Sequence, residues 1–588
     1  MAWLTQYRKA EALELYLGDP LNPDNLFSFH HCIELDEQDA YPEDICQLLY
    51  DWNLHLYYIP VAYGGKLESF EEMLAISRSI ARRDLTVAIA HGVTYLGATP
   101  VWIAGSDAQK QKIAERIKNR ERISFALTER NHGSDILNNE TAVENVENGY
   151  LLSGEKWLIG NASRAAALTV FTRTNPKGGP RGFSVFFVEK DQLDPESYTN
   201  LAKIKTHGLR GANISGVNFQ NSLLAPDALI SSEGSGLEVI LKALQVTRTL
   251  HAGAASSLAQ ADTALRVTLD FVFSRQIYGV TVWDIPHARQ TLIEAFVDIL
   301  ICECVSLAAV RSLHVATNQM SLFSAIIKYF VPTTTEEIIR RISAVLGARY
   351  YLREEHWYGI FQKIVRDHAI ISVFDGSSAV NLHAIALQLQ QLANYHLENN
   401  LGEIPEFREQ MATIFNLEKP LPEFDPNQLE IYNRGRDYIL QGVDIAQVDL
   451  DKLKTETDIN AEVLQKIIEL TYIINQIINI QNKFLSQKNM NYMAKYSKSA
   501  ELFELAKSYC ILHTSVACIQ IWLHNRKTLG EFFAKGEWLV LCLTRLIEKL
   551  QPSLESAPES LWENVGNQLV KLYTENQMFS IVPFKLAD

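Results

Sequence analysis

The sequence predicts a mainly α protein with a central β-barrel, from three observations. Apolar residues recur at helical spacing through roughly the first 120 positions. From about residue 121 the period shortens to that of strands, with Gly- and Pro-rich turns between short β-rich runs. After Gly234-Ser235-Gly236 the apolar runs become too long and regular for strands and read as a helical bundle.

Taken in order, residues 1–120 form a helical region. Ser69-Phe70-Glu71-Glu72 carries a Ser/Glu capping pattern and runs on through Met73-Leu74-Ala75-Ile76 at helical spacing. Residues 106–120 read as a charged amphipathic helix, and Ile59-Pro60 followed by Tyr63-Gly64-Gly65 breaks the helices. In residues 121–234, Asn148-Gly149 between 141–146 and 150–153 predicts a hairpin with a type I′ turn. Strands are expected at 167–174, 183–189 and 214–219, giving a small barrel or sandwich. Helices at 254–273, 286–317 and 321–342 make a bundle spanning 235–401. Pro405, Pro420, Pro422 and Pro426 mark 402–428 as a linker. A second helical region covers 429–588, clearest at 463–485, where Leu464, Ile467, Ile468, Ile474, Ile477, Ile478 and Leu485 share a broad face.

The 588 residues are 47% hydrophobic and 21% charged, enough for several folding units with ample core. A net charge of −15 argues against nucleic acid, whose phosphates need clustered Lys and Arg. Seven cysteines, an odd number in apolar surroundings, point to reduced thiols and a cytoplasmic location. Cys302 and Cys304 lack a second pair and His30-His31-Cys32 stands alone, so no metal is expected. No basic leader precedes an apolar run, and no uninterrupted apolar stretch reaches the ~20 residues of a membrane span. A soluble protein is expected.

The most informative residue is Asp375, in Val373-Phe374-Asp375-Gly376-Ser377-Ser378, soon after Arg366-Asp367. A lone carboxylate in an apolar stretch has its pKa raised by burial, which suits a general base. The glycine beside it leaves room for a ligand to approach the backbone. Against that stands the plainer alternative of an Asp-Gly turn.

Upstream lie Ser124-Phe125-Ala126-Leu127-Thr128-Glu129, Gly133-Ser134-Asp135, Gly154-Glu155-Lys156-Trp157, Lys205-Thr206-His207-Gly208-Leu209-Arg210 and Arg275-Gln276-Ile277-Tyr278-Gly279. With Arg366-Asp367 and Asp375-Gly376, in this order, they make residues 1–400 resemble the acyl-CoA dehydrogenase flavoproteins. The resemblance implies a helical domain, a β domain and a four-helix bundle, with 429–588 as the C-terminal helical extension of larger members. It implies FAD, an acyl thioester substrate on coenzyme A or an acyl carrier protein, and a homodimer; the electron acceptor stays open. Asp375 takes the position of the α-proton base, where the family's usual residue is Glu, and its backbone N–H that of an oxyanion donor. Phe125, Leu127, Thr128 and Ser134 fall where the family contacts the flavin ring, and Leu158 and Gly160 stand in place of Trp and Thr. Arg275 matches an Arg on the FAD diphosphate across the subunit interface. Gly347, from a glycine-rich stretch now carrying Arg349 and Tyr350, and Ser377 complete the cofactor set. Ser134, Arg248 and Gly376 are the implied substrate contacts. Pro286 replaces a usual Gln and Gln245 a usual acid. Two alternatives remain: a weak or silent dehydrogenase fold serving as a scaffold, and a flavin oxidase or monooxygenase.

Overall fold

A computed structural model describes residues 5–399, 401–455, 459–487, 499–553 and 557–588. Several N-terminal helices start on the cap their sequence offers. Ser69 Oγ accepts from the N–H groups of Glu71 (3.1 Å) and Glu72 (3.4 Å) to open the helix Phe70–Ala81. Asp84 does the same for Leu85–Ala104, accepting from Val87 at 2.9 Å, and Ser106 forms a full capping box with Gln109. One expectation needs correcting. Leu85–Ala104 and Ala500–Asn525 are long and apolar enough to cross a membrane by length and composition. Both are about two-thirds buried inside the fold, and core packing accounts for their character.

Eight strands follow: β1 (Ile123–Ala126), β2 (Ala142–Val146), β3 (Gly149–Gly160), β4 (Ala167–Arg173), β5 (Phe183–Glu189), β6 (Tyr198–Leu201), β7 (Ile214–Leu224) and β8 (Leu229–Ile230). They form one sheet ordered β6-β7-β3-β2-β4-β5-β8, with β1 added in parallel to β4. The sheet wraps a core of its own, built on Leu152, Leu168, Phe186, Val217 and Phe219. The hairpin between β2 and β3 differs from its expected form. Val146 pairs with Gly149, so the loop is Glu147-Asn148, and neither residue has the positive φ of a type I′ turn. Gly149 is needed for another reason: a Cβ there would collide with the Leu224 carbonyl on β7.

The bundle begins with one continuous helical run, Gly236–Thr247, a π-helical segment Arg248–Ala255, then Ser256–Ser274. Pro286 takes the first turn of Pro286–Val315, where its missing N–H costs nothing. Met320–Leu346 packs along that helix and against the π segment. The stretch read as a linker is itself packed: Pro405–Phe415 is a helix burying Phe407, Met411, Ile414 and Phe415. Buried Arg311 organises it, donating to the carbonyls of Thr413 (2.8 Å), Ile414 (2.7 Å), Asn416 (2.8 Å) and Lys419 (2.9 Å) while pairing with Glu71. The extension includes Ala461–Ser486, Ala500–Asn525, Glu537–Glu548 and Glu559–Thr574, and the last three pack on Pro286–Val315. On its predicted face only Ile477 is left half-buried.

The C-terminal tail is fastened by buried charge. Glu303 accepts from Arg78 (2.6 Å), the Ser580 hydroxyl (2.6 Å) and Ile581 N–H (2.7 Å). Asp262 accepts from Phe579 N–H (3.0 Å) and pairs with Arg266 (2.9 Å), and Arg78 also donates to the Phe579 carbonyl.

Candidate active site

Asp375 is aimed by the helix before it. In Ile360–His368, buried Lys363 bridges Asp367 and Asp84, each at 2.6 Å. Asp367 also accepts from Leu209 N–H at 2.7 Å, and Arg366 pairs with Asp36 at 2.6 Å and donates to the His207 carbonyl at 3.2 Å. The 205–210 and 366–367 motifs are therefore one cluster, whose buried charges are all paired. From this anchor the chain turns: Val373 and Phe374 N–H groups donate to the Ile370 carbonyl at 2.9 and 3.1 Å. Asp375 (φ 55°) and Gly376 (φ 96°) then adopt left-handed backbone, strain typical of functional turns.

The space beside Gly376 is taken by protein. A Cβ there would overlap the Arg248 guanidinium, whose Nε donates to the Asp375 carbonyl. Gly376 thus admits Arg248 rather than a ligand, and Arg248 braces the turn rather than reaching into solvent. Ser377 caps Ser378–Ala386, accepting from Val380 N–H, and Asn381 donates to the Gly376 and Ser377 carbonyls. Helix capping accounts for Ser377 without a cofactor.

The Asp375 side chain borders a cavity of about 70 Å³, walled mainly by apolar groups such as Ile80, Ala88, Val93, Leu96 and Phe374. Its carboxylate has no hydrogen bond or ion pair among the described residues, and no acceptor is paired with its N–H. Burial raises its pKa, with Lys328 and Arg248 pulling it back down. Lys328 is buried on Met320–Leu346, donates to the Ile371 carbonyl and lies 4.5 Å over the Phe374 ring. Burial drags its own pKa down to about 7.

The β-domain edge lines none of this cavity and meets it only through Val93, one of its wall residues, which packs on Gly160. Phe125 is buried on β1, and just beyond it Leu127 and Thr128 are locked in place. The Thr128 carbonyl accepts from Trp157 N–H at 3.0 Å; that of Leu127 accepts from Lys156 (3.1 Å) and Asn139 (2.7 Å). Lys156 is fully buried on Glu129 at 2.8 Å, and burial brings its pKa to about 8. Leu158 is 42% exposed with φ 57°. A Cβ on Gly160 would stand 2.9 Å from Val93, the residue that forms cavity wall on its other side. An open apolar side chain in strained backbone, a clamped Thr128 and a clear approach at Gly133 fit a planar ring laid on this edge.

The remaining expected contacts lie elsewhere. Ser134 is exposed beyond Thr128. Arg275 is exposed at the end of Ser256–Ser274, beside a hairpin whose tip, Tyr278, is 95% exposed. Gly347 (φ 64°) closes Met320–Leu346 with open space around it, and Arg349 packs over the Phe271 ring. Neither Arg275 nor Gly347 lines the cavity. Sequence reasoning passed over Tyr58, His91 and Lys328; the last two stand out only as basic residues within apolar helical runs.

Three comparisons bear on the family and the fold. Residues 29–121, 124–222 and 234–390 match the N-terminal, middle and C-terminal domains of acyl-CoA dehydrogenase, together more than half the chain. The mitochondrial isovaleryl-CoA dehydrogenase of Oryza sativa subsp. japonica is 23% identical over 389 residues, 66% of this chain and 91% of that protein. The solved butyryl-CoA dehydrogenase of Megasphaera elsdenii superposes with a TM-score of 0.58 at 21% identity, over 65% of this chain and 97% of that one. A prolyl acyl carrier protein oxidase gives 0.58 at 19%, over the same shares. With three successive domains matched in order, the chain belongs to the acyl-CoA dehydrogenase family of flavin-dependent oxidoreductases.

Proposed function

We propose that this protein introduces an α,β double bond into a short acyl thioester, with Asp375 as the base. The observation that supports it most is the half-buried carboxylate, without a partner among the described residues, beside a mainly apolar cavity. Asp375 takes the α-proton as that C–H bond breaks, and its free N–H donates to the thioester oxygen as charge gathers there. Bound FAD supplies the acceptor for the hydride leaving the β-carbon. Phe125, Leu127, Thr128, Leu158 and Gly160 would hold the flavin ring, and Arg275, from the partner copy of a homodimer, its diphosphate. A cavity of about 70 Å³ suits a small acyl group. The carrier is coenzyme A or an acyl carrier protein; both present the same pantetheine arm. The seven buried cysteines, none in a disulfide, suit a reducing cytoplasm.

The scaffold alternative draws on Arg248 filling the space beside Gly376. Colour separates the two. Purified protein is expected to be yellow, and short acyl thioesters on either carrier to bleach its flavin band anaerobically. A colourless preparation that does not take up FAD would overturn the enzymatic proposal. Arg275→Ala is expected to lower flavin occupancy severalfold after gel filtration; unchanged occupancy removes the diphosphate role.

A pH profile tests the electrostatics. Asp375 works ionised, so the bleaching rate rises with pH through its raised pKa. The Lys328 charge lowers that pKa, so Lys328→Met is expected to move the rising limb to higher pH; an unmoved limb means Lys328 does not act on the base.

A further inference from the structure

Resting on the dehydrogenase proposal, we infer that the acyl group carries a hydrogen-bonding heteroatom, a hydroxyl or an amine, and that His91 on the cavity wall reads it. His91 is 2% exposed on Leu85–Ala104 and lines the cavity together with Tyr58 and Thr247. Its ring is fixed: Nδ1 and the Tyr58 hydroxyl are 2.7 Å apart, and the ring centres of Tyr50 and Tyr58 lie 4.5 and 5.4 Å away. Its second nitrogen, Nε2, is buried with no hydrogen-bond partner, and so is the Thr247 hydroxyl.

Buried polar atoms are nearly always paired, so two unpaired atoms on residues walling one small cavity call for a ligand group. A site for a plain hydrocarbon chain needs neither. Burial holds the imidazole neutral, its pKa lowered to about 3, so the ring does not serve as a charge for a carboxylate. With the phenol donating to Nδ1, Nε2 carries the proton and donates to a hydroxyl oxygen or a neutral amine nitrogen. Thr247 lies next to Arg248 on the helix that braces Asp375, so the reader and the base border one volume. A site built to bond a substrate group rejects the analogue lacking it far more strongly than a hydrophobic pocket rejects a missing methylene.

The test uses pantetheine, the arm common to both carriers. Calorimetry on the FAD-loaded protein compares S-pentyl-pantetheine with its 4- and 5-hydroxypentyl and 5-aminopentyl analogues, and anaerobic bleaching compares the matching thioesters. One polar analogue is expected to bind at least tenfold tighter than the pentyl probe. His91→Leu is expected to bring that ratio close to one, His91→Gln to retain part of it, and Thr247→Val to reduce it, each with flavin still bound as a check on folding. Equal binding of polar and apolar probes by the wild type, or a ratio unchanged in His91→Leu, overturns the inference. If the apolar thioester bleaches the flavin in that case, the dehydrogenase proposal survives alone; if no thioester bleaches it, both fall.

Discussion

Asp375→Asn is expected to cut thioester-dependent flavin reduction by at least about a hundredfold, toward ten-thousandfold, the range a positioned general base contributes. Asn keeps the shape of Asp and tolerates the left-handed φ of this turn. Arg248 binds the residue-375 carbonyl, not the carboxylate, so the turn stays braced. The proposed flavin edge, on β1 and β3, is untouched, and FAD content should match the wild type. Only the ability to take the proton is lost. Anaerobic stopped-flow absorbance in the flavin band measures it; bleaching at the wild-type rate would remove Asp375 from the mechanism.

Glu303→Ala is expected to destabilise the fold by ~3–5 kcal/mol, the cost of stranding one member of a buried pair. The change leaves Arg78, the Ser580 hydroxyl and Ile581 N–H without their acceptor, and Arg78 keeps only the Phe579 carbonyl among these contacts. Because most of the loss is an uncompensated charge, Arg78→Met with Glu303→Leu should cost less than Glu303→Ala alone. Urea transition midpoints of the three proteins measure this. A single variant within about 1 kcal/mol of wild type would mean the tail is not held by this pairing.

What was legible in the sequence is what local chemistry decides. Ser69 caps its helix because the acceptor and the bare N–H groups lie within three residues of it. Asp375 stood out because a carboxylate in an apolar run is expensive wherever it ends up. What stayed hidden depends on distant partners. Gly149 looked like a turn glycine, yet its reason is a carbonyl on β7. Gly376 looked like a ligand's doorway, yet Arg248, well over a hundred residues earlier, fills it. Four prolines marked a linker, but Arg311 gathers its carbonyls into a packed helix. His91 was visible only as an anomaly in an apolar helix; nothing nearby in sequence names Tyr58 as its partner.

The fastening of residues 579–581 has a consequence for biosynthesis. Every segment matched to the family has been synthesised by residue 390, yet Asp262 and Glu303 still lack donors that arrive only with residues 579–581. A nascent chain paused within the extension therefore exposes a catalytic half whose interior acids are incompletely satisfied, a state open to chaperones and proteases. Arrival of residues 579–581 itself becomes the step that locks the fold.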